Sequence, residues 1–210
     1  YGASLLLSDK YRHLAKGIEY ADSLSWDMHK WLMQCYSCSA IIVKNVKNLA
    51  NAYTTKHEYL DDDASTTAYD AMDISIEMSR PHRALPFWLS LQATGLDEIE
   101  KDINNTIEYA EYAHDEFKKC SDIEITSKPS CAALTFRFIK DGKTNEELNT
   151  MNAAIAKEIT TEGVTYVVTT ILEGKRVLRL CILNCAATKD DVTMTIESII
   201  RCGEKVLKNY

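Results

Sequence analysis

The chain has 210 residues, enough for one large or two small folded units, and 46% of them are hydrophobic. Its net charge of −7 argues against a nucleic-acid-binding surface, which needs a basic stripe. No run approaches the ~20 apolar residues that span a bilayer, and residues 1–8 are too short and lack the basic flank of a signal peptide, so a cytoplasmic protein is expected.

Residues 3–7 and 40–43 are apolar runs of strand length, and 23–26 is a shorter one. Between them, 9–17 reads as a brief helix closed by Gly17. Short apolar strands joined by helical crossovers predict an α/β layer with a mainly parallel sheet. Residues 45–73 turn polar, with Asp61, Asp62 and Asp63 in a row and no sustained period, which predicts a long functional or disordered loop. Apolar, helical character returns over 74–95, where Pro81 and Pro86 mark a break or a first turn. A second helix over 96–120 repeats Ile99, Ile103, Ile107, Ala110, Ala113 and Phe117 on one face.

Residues 131–139 predict a strand, and Thr144 with Glu147 forms a capping box that opens a helix ending near Gly163. Residues 164–171 and 176–183 read as two strands of a hairpin around Glu173 and Gly174. Thr188 caps a last helix, acidic at its start (Asp190, Asp191, Glu197) and basic at its end (Arg201, Lys205, Lys208), as the helix dipole favours. The expected division is therefore 1–95, part of a larger α/β domain, and 96–210, a small α+β domain.

Seven cysteines make an odd count, and six sit in apolar or strand-like surroundings, as reduced cytosolic cysteines do. Cys35 and Cys38 form a CxxC without a second ligand pair at metal-site spacing, so no metal site is expected. In a strand, side chains three apart point to opposite faces, which favours a structural role for the two.

Residues 23–32 concentrate the chemistry. Lys30 stands beside His29 and is followed by Trp31, Leu32 and Met33. A lysine among apolar groups loses charge stabilisation, so its neutral amine becomes accessible for a Schiff base with an aldehyde. The plainer alternatives are a lysine snorkelling from a sheet edge and a satisfied core histidine.

From Ser23 to Lys44 the spacing of Ser23, Leu24, Lys30, Trp31, Leu32, Tyr36, Cys38, Ile41 and Lys44 resembles the pyridoxal-phosphate attachment signature of the group II amino-acid decarboxylases. That resemblance implies a fold type I pyridoxal-phosphate enzyme with its active site at a dimer interface. It implies that Lys30 bonds the cofactor and that His29 contacts the cofactor phosphate or the attachment region. Asp27 and Met28 stand where many relatives carry Asn and Pro. A carboxylate beside a phosphate dianion is repelled, so Asp27 is not assigned to the phosphate.

Tyr59, in the sequence His57-Glu58-Tyr59-Leu60, matches a tyrosine on the family's mobile catalytic loop that returns a proton to Cα; the alternative is an ordinary tyrosine on a polar loop. Arg179 lies in an apolar strand and calls for an anion. The resemblance makes that anion the substrate carboxylate, with a buried Glu or Asp as the alternative. Arg80 and Arg83 also match family arginines and are read as structural or interface groups.

The family's partner for the pyridine nitrogen and its ring-stacking histidine lie upstream of Tyr1. The chain is therefore expected to be the carboxyl-terminal half of an enzyme, inactive alone, working as a homodimer or with a complementing amino-terminal half. The implied reaction is decarboxylation of an L-amino acid to its amine. Transamination, lyase chemistry or a non-catalytic dimerisation role are the alternatives.

Overall fold

The computed structural model describes residues 1–54 and 69–210. The chain opens not on a strand but on a 3-10 turn, Gly2–Leu7, followed by two more at Arg12–Ala15 and Ile18–Tyr20. Ala3, Ser4 and Leu5 are all buried, which three consecutive residues of a strand against one core cannot be. Serines hold the turn. Ser4 Oγ accepts the Trp26 indole N–H at 3.0 Å, and Ser8 Oγ donates to Asn104 at 2.6 Å while accepting the Tyr11 amide. Such local side-chain bonds compete with a strand ladder.

Strands β1 (Ser23–Asp27) and β2 (Ser39–Val43) pair antiparallel, Ser23 opposite Val43 and Asp27 opposite Ser39. The parallel pairing expected for this part is absent among the described residues. Residues 28–38 contain no helix, and a parallel crossover needs a longer, usually helical, connection. Helix α1 (Lys47–Tyr53) interrupts what reads as loop and buries only Ala50, so it leaves no apolar period to detect. Helix α2 (Ala84–Thr94) starts ten residues later than the apolar stretch suggests, with Pro86 in its first turn, where proline is tolerated. Gly95, at φ 81° and ψ 152°, ends α2 and starts α3 (Leu96–Phe117), a conformation that other residues rarely adopt.

The remaining strands form one antiparallel sheet in the order β3-β4-β6-β5: β3 (Ile123–Ser130), β4 (Ala133–Phe138), β5 (Val168–Leu172) and β6 (Lys175–Cys181). Strand β3 is not legible as a strand, because serine, lysine and Pro129 dilute it and its register shifts twice against β4. The expected capping box of Thr144 with Glu147 forms at the head of α4 (Asn145–Glu162), and Thr188 caps α5 (Lys189–Leu207) as expected, with Asp191 completing a second box. Glu173 and Gly174 both take positive φ in the β5–β6 turn. That matches the twist of a tight hairpin.

One face of this sheet carries Leu134, Phe136, Phe138, Leu178 and Leu180 into the core against α3, α4 and α5. Phe117 and Phe136 lie 4.4 Å apart between ring centres. Helix α5 comes so close to β4 that a Cβ on Gly203 would sit 2.1 Å from the Phe138 ring. Leu5, Tyr11, Trp31 and Leu32 belong to the same core cluster, so the segment around Lys30 is anchored on the body formed by α3 and the sheet.

Candidate active site

The turn after β1 is built from its backbone. The Met28 and His29 amides both donate to the Cys38 carbonyl at 3.0 Å, and the Gln34 amide donates to the Met28 carbonyl at 3.2 Å. Trp31 pins the turn from below. It is 1% exposed, and its indole N–H donates at 2.8 Å to Thr106 Oγ1 on α3, itself buried. The Cys185 thiol donates to the Trp31 carbonyl at 3.4 Å, and burial, then Asp102, raises that thiol to about 11. With Trp31 directed inward, Lys30 faces out.

Lys30 is therefore not enclosed by apolar groups, as its sequence neighbours suggest. Its side chain is 44% exposed and forms an ion pair with Asp27 Oδ2. Asp27 Oδ1 accepts the Ser39 hydroxyl at 2.8 Å from the facing strand. The Lys30 bond first, and the Ser39 bond next, lower the Asp27 carboxyl to about 2. His29 closes the group. Its Nδ1 lies 2.8 Å from the Cys38 carbonyl, 3.3 Å from the Cys38 amide and 3.4 Å from the Ser39 hydroxyl, donating or accepting according to its tautomer, and its ring meets Tyr36 edge-on at 4.7 Å. Its Nε2 has no protein partner among the described residues. An amine, a fixed carboxylate and an imidazole thus share one turn, a set able to bond a carbonyl carbon and hold charge beside it.

Arg179 is not buried against a carboxylate. Leu178 and Leu180 face the core, and period-two alternation puts Arg179 on the open face, where its one side-chain hydrogen bond among the described residues is to Cys181 Sγ at 3.7 Å. The buried arginine of the sheet is Arg137, 6% exposed, bonded to Glu124 at 2.6 Å and Asn145 at 2.9 Å. Arg179 is nevertheless linked to the Lys30 turn. Cys181 Sγ lies 4.0 Å from the Tyr1 hydroxyl, and the Tyr1 ring packs edge-on against Trp31 at 5.5 Å. Burial, then Cys181, pushes the Tyr1 phenol up to about 12, and its hydroxyl donates to the Cys131 carbonyl at 3.0 Å.

Tyr59 lies outside the described residues. Arg83 makes a long contact of 3.8 Å with Glu77 and lines a cavity of about 550 Å³ that flanks the Lys30 turn with Gln34, Tyr36 and Phe87. Cys35 is exposed and Cys38 buried, so the CxxC side chains do part, although they precede β2 rather than lie in it. Sequence reasoning missed the partnership of Asp27 with Lys30 and Ser39. The signal available was an acid three residues before the lysine, within a single turn.

The family model described as the pyridoxal-dependent decarboxylase conserved domain matches residues 1–139. An aromatic-L-amino-acid decarboxylase of Bacillus atrophaeus is 32% identical over 213 residues, covering all of this chain and 44% of that protein. The crystal structure of Catharanthus roseus tryptophan decarboxylase in complex with L-tryptophan superposes with a TM-score of 0.83 at 24% identity, covering 98% of this chain and 43% of that one. A structure of Oryza sativa TDC with PLP and tryptamine gives 0.88 at 24% identity over 98% of this chain and 43% of that one. The chain thus has the α/β fold of these enzymes and spans less than half their length. Among the described residues no helix is long and apolar enough to cross a membrane. With most of its length matched, Lys30 included, the chain belongs to the pyridoxal-dependent decarboxylase family.

Proposed function

We propose that the protein containing this chain decarboxylates an L-amino acid to the corresponding amine and carbon dioxide, using pyridoxal phosphate. The observation that carries this reading is Lys30, presented outward beside His29 on a turn that falls within the family match. The donor set fits the cofactor at its aldehyde end. Lys30 offers a primary amine whose only side-chain partner among the described residues is the Asp27 carboxylate, and among the same residues the neighbouring His29 leaves Nε2 open for a polar contact. When bound, the cofactor supplies an electron sink for the pair of electrons left on Cα as carbon dioxide departs.

The residues of this chain take the other roles. Lys30 holds the cofactor and His29 orients it. Arg179, a cation without a carboxylate partner among the described residues, binds the substrate carboxylate. Tyr59 delivers a proton to Cα. The residues from 96 onward, which hold α3–α5 and the four-stranded sheet, form the small domain of the 1–95 and 96–210 division. Helix α2 exposes Leu85, Trp88 and Leu89, the kind of surface that a homodimer or the amino-terminal half covers. All seven cysteines are free thiols, which supports a cytoplasmic location.

Borohydride reduction of the complete holoenzyme followed by peptide mapping should place the cofactor label on Lys30, and candidate amino acids should yield carbon dioxide and amine in equal amounts. A label on another lysine, or keto acid in place of carbon dioxide, refutes the reading.

A further inference from the structure

Asp27 shows an unusual degree of restraint for a surface carboxylate. One oxygen is bound by the Lys30 ammonium and the other, at 2.8 Å, by the Ser39 hydroxyl from the opposite strand. The register pairs Asp27 directly with Ser39, so the sheet itself sets the carboxylate's position. The groups that face Lys30 are few among the described residues. Asp27 comes from β1, Ser39 from β2, and the turn contributes His29, whose Nδ1 is engaged by the Cys38 backbone and lies 3.4 Å from the Ser39 hydroxyl, with Tyr36 lying against the imidazole. Among the described residues Asp27 is thus the one charged group that touches the amine.

We propose that Asp27 is a positioning residue: a counter-charge fixed by Ser39 that sits beside the Lys30 nitrogen and keeps that nitrogen cationic once it has bonded the cofactor aldehyde. This inference rests on Lys30 being the attachment residue. The covalent change balances without a co-reactant. Lys30 enters as an ammonium, one carbon–nitrogen double bond forms, one water leaves, and the nitrogen keeps a single proton and its positive charge. Asp27 is no base in this change, since its carboxyl is held near 2 by Lys30 and Ser39 and does not take up a proton at neutral pH. It acts through charge. A negative group within a few ångströms favours the protonated form of the cofactor-linked nitrogen and shifts the titration of that linkage upward by about one to three pH units.

The test is a pH titration of the absorbance of the bound cofactor in the complete holoenzyme, which reports protonation of the nitrogen that joins it to Lys30. Asp27→Asn should lower the midpoint by about one to three pH units. Ser39→Ala, which frees one carboxylate oxygen, should lower it by less, and Asp27→Glu should lie between Asp27→Asn and the parent protein. A structural role alone would not produce this ordering. Should Asp27→Asn fail to fold, Ser39→Ala and Asp27→Glu carry the same test. Peptide mapping after borohydride reduction runs alongside. A label on Lys30 with an unmoved midpoint in every folded variant overturns the role of Asp27 and leaves the attachment intact. A label elsewhere overturns both.

Discussion

Thr106→Val isolates the contact that fixes the Lys30 turn to the protein body. Trp31 is 1% exposed, and its indole N–H has Thr106 Oγ1 as its acceptor at 2.8 Å. Valine keeps the shape of threonine and removes that acceptor, leaving a donor buried without a partner, at a cost of about 1–3 kcal/mol. The hydroxyl also donates to the Ile103 carbonyl at 2.8 Å, but that oxygen sits inside α3 and loses less. A destabilisation of about 2 kcal/mol is expected, read as a lower urea midpoint at unchanged slope. Trp31→Phe removes the donor itself, so Thr106→Val made in that background should cost only about 0.5 kcal/mol, a coupling of about 1.5 kcal/mol between the two sites. If Thr106→Val costs the same with and without the indole, the hydrogen bond does not anchor the turn and the reasoning fails.

Asn152 is fully buried and spans both backbone groups of Phe138, accepting its N–H and donating to its carbonyl, each at 2.8 Å. Asn152→Ala orphans two buried groups and should cost about 2–5 kcal/mol. Asn149 accepts the half-buried Arg176 N–H at 2.6 Å and donates to the exposed Gly174 carbonyl that Asn145 also serves, so Asn149→Ala should cost about 1–2 kcal/mol; a larger loss in denaturant midpoint for Asn149→Ala would refute the distinction. Gly203→Ala should lower the thermal midpoint despite the better helix propensity of alanine, because its Cβ meets the Phe138 ring at 2.1 Å and overpacking costs about 1–3 kcal/mol; a raised midpoint would show that the ring yields. Glu162 joins α4 to α5 through Ser198 first and Arg201 next, which lower its carboxyl from 4.5 to about 2. A folded value below the unfolded one means that this clasp contributes fully above about pH 4.5 and is lost as pH falls towards 2. The stability gap between the parent and Glu162→Gln should therefore close across that window, and a gap independent of pH would count against it. Arg179→Gln should raise KM for the amino acid and leave cofactor attachment unchanged, as substrate titrations and absorbance would show.

Much of the fold is written locally. The capping boxes of Thr144 and Thr188 and the turn at Glu173 and Gly174 depend on residues within three positions of one another, and all three form. The face of α3 is equally legible, because Ile103, Ile107, Ala110, Ala113 and Phe117 follow a helical period and are all buried. The misreadings fall where distant contacts decide. Residues 3–7 have the composition of a strand, yet Ser4 and Ser8 are engaged by Trp26 and Asn104, partners 22 and 96 positions away. Strand β3 forms because β4 supplies its ladder, although its own residues give no clean alternation.

The same division governs the site. The order of residues from Ser23 to Lys44 singles out Lys30 as the candidate, but apolar neighbours in sequence do not make an apolar environment. Trp31 and Leu32 are buried because the turn rotates them inward, and that rotation carries Lys30 outward to Asp27. Arg179 teaches the converse lesson. Its alternation with Leu178 and Leu180 already assigned it to the opposite face, and the cation that needs a buried carboxylate is Arg137, one strand over. A charged residue inside an apolar run is therefore informative only once its parity is counted. Asp27 follows a different rule: it opens the turn that Lys30 ends, but its pairing with Ser39 comes from the antiparallel register of β1 and β2. What a sequence motif leaves open is the partner that its lysine meets, and here a sheet register fixes that partner's position.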